Sequence, residues 1–244
     1  QDGSGRIQAF LRKDDLGERY ALLDGLDLGD FVGVKGEVLK TKTGEISVKA
    51  SEITILAKSL RPLPVVKEKD GQVFDAFADK ELRYRKRYLD LAVNTHVREV
   101  FRKRAVMVTA VRSFLDARGF LEVETPALQT LYGGASARPF KTHLNALDLP
   151  LYLRIADELY LKRLVVGGFE RVYEIAKNFR NEGMDATHNP EFTALEFYWA
   201  YADYRDAMDL VEEMLRDAAL KVSGGTRFSW KGKDVDLARP FARL

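Results

Sequence analysis

The sequence predicts an α+β protein in two parts, a small β-rich, barrel-like domain followed by a larger domain built on an antiparallel sheet with flanking helices. Three observations predict it. Short apolar–polar alternations separated by turn residues fill residues 1–60. A helical period takes over from His96, and strands and helices then mix without regular alternation. Between them, residues 61–94 hold Arg61-Pro62-Leu63-Pro64 and a charged stretch with few apolar residues, which reads as a linker.

In the first part, Arg6 to Arg12 alternates Ile7, Ala9 and Leu11 with polar or aromatic neighbours, and Asp30 to Leu39 carries Val32, Val34 and Val38. Gly44 breaks the run before Ile46-Ser47-Val48, and Ile53-Thr54-Ile55-Leu56 forms a further strand-like run. Strands at this spacing suggest a small barrel. The linker is charged from Lys67 to Lys80 and ends in Arg83-Tyr84-Arg85-Lys86-Arg87-Tyr88. That basic run suits either a solvated helix face or contact with phosphates.

Residues 95–244 form the second part. Val97, Val100, Phe101, Val108, Val111, Phe114 and Leu115 recur at helical spacing, with Gly119 placed to cap the end. The run from Phe120 to Pro126 reads as a strand stopped by proline. Glu158 to Val166 is a second helix closed by Gly167-Gly168, and Arg171 to Trp199 reads as two strands around a polar turn. Asp203 caps a last helix, with Ala207, Val211, Met214, Leu215 and Ala218 on one face and Gly224-Gly225 at its end.

Composition narrows the class. The 244 residues are 46% hydrophobic, 31% charged and 11% aromatic, which supports real cores and argues against disorder. A net charge of +2, from 39 basic and 37 acidic residues, does not by itself demand a nucleic-acid partner. The lack of cysteine excludes disulfides and thiolate metal sites. No apolar run approaches the roughly twenty residues that span a bilayer, so no membrane partner is expected. The opening Gln1-Asp2-Gly3 carries no start methionine, and the chain is expected to begin mid-domain.

The stretch 171–200 carries the chemistry. If 171–182 is one strand, Glu174, Asn178, Arg180 and Glu182 project from one face, and Tyr173, Ile175 and Phe179 from the other. Beyond the turn, Phe192, Glu196 and Tyr198 share a face opposite Leu195, Phe197 and Trp199. An arginine fork suits phosphate or carboxylate oxygens, a phenylalanine stacks on a base, and carboxylates beside aromatics hold an ammonium group. Cross-strand salt bridging on an exposed sheet face explains the same pattern. The residues alone leave both readings open.

Phe179-Arg180-Asn181-Glu182-Gly183, followed by His188-Asn189-Pro190-Glu191-Phe192-Thr193, is similar to the second signature motif of class II aminoacyl-tRNA synthetases. Arg118 to Pro126 resembles the first signature motif, a helix and strand at the family's dimer interface, with Pro126 within it. Gly133 to Phe140, Tyr152 to Arg163 and the run from Tyr198 to Tyr204 resemble the lysine-specific members.

The resemblance implies a partial OB-fold anticodon-binding barrel followed by part of a class II catalytic sheet. It also implies a cytoplasmic homodimer that activates lysine with ATP and Mg2+ and passes it to lysine tRNA. Arg180 would be the catalytic residue, holding the α-phosphate and the lysine carboxylate. Glu182, His188, Asn189 and Phe192 would meet the rest of ATP. Gly134 and Glu158 would take the α-ammonium group, and Glu196 and Tyr198 the side-chain ammonium. Gln8, Phe10 and Glu45 are the expected anticodon contacts. Asp157, where related sequences often carry proline or serine, reads as a tolerated helix-start residue. His96 and His143 carry no motif and read as structural or surface residues.

The family's third motif, a glycine-rich strand and helix ending in an arginine, has no match after Glu196, since Gly224-Gly225-Thr226-Arg227 lacks the spacing. Its magnesium carboxylates would lie downstream of Leu244, so no metal ligand is expected within the chain. An aspartyl or asparaginyl synthetase is disfavoured by Glu158, Glu196 and Tyr198. Known relatives that attach lysine to a protein lack the anticodon barrel. A non-catalytic RNA-binding or dimerisation fragment is the reading from a different class.

Overall fold

The computed structural model describes residues 2–3, 5–61, 63–64, 67–69, 72–74 and 77–243, so Pro62 of the proline motif lies outside the described residues. The chain forms two compact units, Gln1–Glu99 and Val100–Leu244.

The first unit opens with β1 (Gln8–Phe10), α1 (Lys13–Leu16) and a 3-10 helix at Gly17–Gly25, then β2 (Phe31–Lys40) and β3 (Ile46–Ala57). The sheet order is β1-β3-β2, with β1 parallel and β2 antiparallel to β3. The two expected runs at 46–48 and 53–56 are one strand. Lys35 pairs with Glu52 and Gly36 with Ala50, so Ser51 is an inserted bulge residue that shifts the period-two pattern and imitates a break. A Cβ on Gly36 would lie 1.9 Å from the Lys49 carbonyl oxygen, so only glycine lets the strands close over the bulge. Leu16, Ala50 and Ile53 form the core, with Leu11, Tyr20, Leu23, Leu26 and Val34 packed around them. Among the described residues this sheet has three strands and does not close into a barrel.

The stretch read as linker carries its own structure. An antiparallel ribbon, β4 (Lys67–Lys69) and β5 (Gln72–Phe74), is followed by α2 (Lys80–Arg85) and α3 (Arg87–Val93). Asp79 caps α2 by accepting from the Leu82 amide at 2.7 Å. Within the basic run, Arg83 (2.8 Å) and Arg87 turn onto the fully buried Asp90, which also accepts from Asn94. Burial pushes the Asp90 carboxyl up, but Asn94 and the two arginines outweigh it and hold it below the usual range. Tyr84 and Tyr88 stay exposed.

The second unit holds α4 (His96–Asp116, entering from the first unit), β6 (Leu121–Glu122), β7 (Leu128–Gln129), β8 (Lys141–Leu144) and β9 (Leu149–Leu153). It continues with α5 (Glu158–Val166), β10 (Arg171–Phe179), β11 (Glu191–Trp199), α6 (Tyr204–Ser223) and a ribbon of β12 (Arg227–Trp230) with β13 (Lys233–Asp236) that the sequence reading did not anticipate. At the end of α4 the Gly119 amide bonds to Asp116 and the Phe120 amide to Leu115, a glycine-terminated cap that brings Phe120 back over Leu115. The central sheet runs β11-β10-β6, with β10 and β11 antiparallel and β6 parallel to β10. A second sheet runs β7-β9-β8.

The core lies behind the central sheet. Phe114 and Leu115 of α4, Phe120, Tyr173 of β10, and Leu210 and Met214 of α6 are buried together, with Ile175, Leu195, Phe197 and Trp199 packed on them. Phe120 meets the Phe197 and Trp199 rings edge-on, at 5.8 Å each. Each such side chain contributes about 1.5–3 kcal/mol when fully buried. Two helical faces differ from expectation. Leu210 replaces the half-exposed Leu215 on the α6 face, and Val100 of α4 is 63% exposed. Asp203 and Asp206 close a reciprocal capping box at the start of α6. Asp203→Ala should lower unfolding stability by about 1 kcal/mol, read from the denaturant midpoint, with the slope unchanged.

Candidate active site

The β10–β11 register decides which side chains meet. Glu174 pairs with Glu196, Asn178 with Phe192 and Val172 with Tyr198. Directly opposed residues point to one side of a sheet. The face away from the core therefore carries Glu174, Asn178, Phe192, Glu196 and Tyr198, as expected. The strand is shorter than the expected 171–182. It ends at Phe179, and Arg180 turns off it, its amide bonding to the Pro190 carbonyl (2.8 Å) and its Nε donating to the Ile155 carbonyl (3.3 Å). Its guanidinium sits 5.0 Å from the Phe192 ring centroid, so the expected cation and stacking plane do meet. Glu182 accepts from the Arg138 amide at 3.2 Å, which ties the 138–140 segment to this end of the site.

Beneath the sheet face lies Arg154, 6% exposed, at the end of β9. Its Nε donates to the Lys177 carbonyl (2.8 Å), and one terminal nitrogen donates to the Thr125 carbonyl (3.0 Å) and to Glu174 (2.7 Å). Glu174 also accepts from the Thr125 amide and hydroxyl, at 3.1 and 2.6 Å. That carboxylate is fully occupied and structural.

Glu196, its cross-strand neighbour, has no such cation. It accepts from the Asp157 amide and the Tyr198 hydroxyl, both at 3.3 Å. Burial pushes the Tyr198 hydroxyl up, and the nearby charges of Glu196, Glu158 and Asp157 push it further. Glu158 opens α5 and pairs with Lys162 at 2.6 Å. Gly134, with φ 87°, lies over it, and a Cβ there would sit 2.8 Å from the Glu158 Cβ and 3.1 Å from the Ala156 Cβ. The site thus has an arginine–aromatic end and an acidic end.

Asp157 is more than a tolerated helix-start residue. It occupies the cap position of α5 but makes no side-chain capping bond. It is 0% exposed, and neither carboxylate oxygen has a hydrogen bond of ordinary geometry, although the Asn178 side-chain amide acts on it as a donor. Arg154 Nε stands 3.3 Å from one of them while bonded to the Lys177 carbonyl. Burial raises the Asp157 pKa to about 6; Arg154 opposes that shift, Glu174 and Glu196 add to it, and the Asn178 amide opposes it.

His188 and Asn189 lie on the exposed turn between the strands. Asp185 accepts from the Thr187 and His188 amides and meets His188 Nδ1 at 2.8 Å, which holds its own carboxyl well below the usual range. The sequence reading gave Asp185 no role. In the first unit, Gln8 accepts from Ser47 (2.7 Å), Phe10 is 41% exposed with the Arg12 guanidinium 5.1 Å from its ring centroid, and Glu45 lies exposed before β3. His143 pairs with Asp148 on the surface, and Pro126 is exposed.

Residues 79–244 match the family described as tRNA synthetases class II (D, K and N), and residues 1–56 match an OB-fold nucleic acid binding domain. The chain belongs to the class II tRNA synthetases. It is 55% identical over 251 residues to a lysine–tRNA ligase of Porphyromonas gingivalis, covering all of this chain and 43% of the relative. It is 56% identical over 245 residues to a lysine–tRNA ligase of Pelotomaculum thermopropionicum, covering all of this chain and 47% of the relative. This synthetase chain spans about half the length of the curated relatives it matches.

Arg154 and Asp157 are the residues of the synthetase site whose roles the sequence did not reveal. Replacing Arg154 with methionine should cost about 3–5 kcal/mol in denaturant unfolding, because Glu174 is left buried without its cation, and Arg154→Met with Glu174→Gln should cost less than the single change. The sign for Asp157 is the reverse. Its folded pKa of about 6 exceeds the ordinary 3.8, so between those values the folded state binds more protons than the unfolded state. Stability therefore falls as pH rises through that window. Asp157→Asn should remove the slope, giving a melting temperature above that of the parent protein at neutral pH and convergence of the two near pH 4.

Proposed function

We propose that this synthetase chain serves the ATP-dependent activation of L-lysine and its transfer to the 3′ end of lysine tRNA. The observation that carries the reading is the acidic end formed by Glu196 and Tyr198, with no cation paired to Glu196 among the described residues, set apart from the Arg180–Phe192 pair. A cationic side chain satisfies that end, whereas an aspartate or asparagine side chain leaves carboxylates facing an anion or a neutral amide. Glu158 and the Gly134 carbonyl suit the α-ammonium group.

In this reading Phe192 stacks on adenine, with Glu182, His188 and Asn189 serving the rest of ATP. Arg180 holds the lysine carboxylate in line with the α-phosphorus. A carboxylate oxygen attacks that phosphorus, pyrophosphate leaves, and the guanidinium offsets charge gathering on the phosphoryl oxygens. A terminal tRNA hydroxyl then attacks the lysyl carbonyl, and AMP leaves. The carboxylates gathered here do not fit magnesium. Glu174 is committed to Thr125 and Arg154, and among the described residues no group of three or more acidic, histidine or cysteine side chains is arranged around a cation.

The exposed Phe10 ring beside Arg12, together with Gln8 and Glu45, suits stacking and hydrogen bonding to anticodon bases. No described helix is long and apolar enough to cross a membrane, and a cytoplasmic location is part of the proposal. So is a homodimer through the Pro126 region. Val100, Val106, Met107 and Leu121, at 63, 44, 44 and 46% exposure, supply the apolar surface it needs.

In the full-length protein, lysine-dependent exchange of pyrophosphate into ATP should fall by at least about 100-fold on Arg180→Ala. Undiminished exchange would sink the site assignment, and a preference for aspartate or asparagine across an amino-acid panel would overturn the lysine reading. Val106→Glu should shift the full-length protein from dimer toward monomer in sedimentation, and an unchanged mass would remove α4 from the interface.

A further inference from the structure

The lysine reading leaves one buried group of the acidic end without a task. Asp157 is fully buried in the cap position of α5, yet its side chain makes no bond to the helix amides, and both oxygens lack a hydrogen bond of ordinary geometry, with the Asn178 amide the side-chain donor that acts on it. A carboxylate so buried is costly unless a cation compensates it. Arg154 is the nearest, its Nε 3.3 Å from one oxygen, but that Nε donates to the Lys177 carbonyl and one terminal nitrogen to the Thr125 carbonyl and Glu174. The charges facing Asp157 come from four elements: Arg154 at the end of β9, Glu174 on β10, Glu196 with Tyr198 on β11, and Glu158 on α5. One arginine is thus set against Asp157, Glu174 and Glu196 together, while Lys162 answers Glu158 at the rim.

The Asp157 amide donates to Glu196. That contact keeps the two residues adjacent, and the Asp157 carboxyl feels the charge of the carboxylate proposed to face the side-chain ammonium. We propose that Asp157 is a specificity-determining counter-charge beside Glu196, and that binding of the lysine side-chain ammonium is coupled to release of a proton from the Asp157 carboxyl. The inference rests on the lysine reading above. Without substrate, the cluster relieves its excess negative charge by holding a proton on Asp157. An ammonium group arriving at Glu196 and Tyr198 supplies the missing positive charge, and the proton leaves to solvent. The pKa of about 6 places that exchange near neutrality. Asp157 acts through Glu196 and is a positioning residue, not a catalytic one.

The test uses the full-length protein and lysine itself. Calorimetric titration of lysine near pH 6, in two buffers of different ionisation enthalpy, should show net release of a fraction of a proton per site. Asp157→Asn should abolish that release and raise the KM for lysine in pyrophosphate exchange roughly tenfold at neutral pH, with the change in KM rather than kcat. Tenfold is the scale of one charge acting over roughly 12 Å in an effective dielectric of about 20. It should also flatten the fall of KM as pH rises through about 6. Proton release that persists in the variant, or an unchanged KM and pH profile, overturns the inference and leaves the lysine reading intact. Should the variant not fold, the parent protein decides, since lysine binding with no buffer dependence overturns the coupling. Absence of lysine binding and exchange in the parent protein overturns both readings together.

Discussion

The buried guanidinium of Arg154 organises the second unit. Two chain segments converge on it just past the end of β9: Thr125 beyond β6, and Glu174 with Lys177 of β10. A cation taken out of water must have every donor answered, so those segments are held to one arrangement. The geometry of the sheet face follows from that. Glu174 and Glu196 stand opposite each other in the register, but the arginine reaches only one of them. The carboxylate that receives it becomes structural. The one that does not is left without a cation among the described residues, and under the proposed reading its charge serves the substrate. An apparently symmetric pair on a period-two pattern is divided into scaffold and site by one side chain from another strand.

The central hairpin was legible because its alternation runs unbroken from Arg171 to Phe179 and from Glu191 to Trp199, with a polar turn between. One period-two reading sorted core from site face correctly for Tyr173, Ile175, Glu196 and Tyr198 alike. Helix ends were legible for a similar reason, since the cap at Asp203 and the stop at Gly119 are local chemistry. What local pattern encodes poorly is non-local pairing. The bulge at Ser51 disguised one strand as two, because an inserted residue inverts the alternation. Arg154 reaches Thr125 and Glu174 at separations of 29 and 20 residues, and nothing in its own neighbourhood names them. Asp157 stands at the helix start, as its place in the sequence predicts, but its complete burial without a capping bond depends on residues distant in the chain and has no local signal.

Buried acidity in this molecule takes two forms, and the contrast explains why one marks a site. Asp90 is as buried as Asp157, but Arg83, Arg87 and Asn94 hold it below the usual range, and it fixes α2 to α3. Its charge is answered within the fold, so no ligand is invited. The Asp157 carboxyl is pushed the opposite way. Folding alone gains nothing by burying an acid on such terms, since an asparagine would fill the same space without the penalty. A stability deficit of this kind, kept beside the residues proposed to face a substrate, is what a group retained for binding looks like.

Under the proposed reading, the division of charge also orients the substrate. The acidic end repels the triphosphate of ATP and draws the side-chain ammonium of lysine, while Arg180 over Phe192 draws the carboxylate and the phosphates. A zwitterion with a cationic tail has one orientation that satisfies both ends. Reversed, it sets its carboxylate against Glu196 and its ammonium against Arg180. Along β11 the two ends are separated by the four-residue step from Phe192 to Glu196, roughly 13 Å at ordinary strand rise. Hydrogen bonds then refine a position that the field has already chosen. In a site built this way, selectivity for the side chain and alignment of the carboxylate for attack are one electrostatic fact, because the charge that holds the tail fixes where the head must lie.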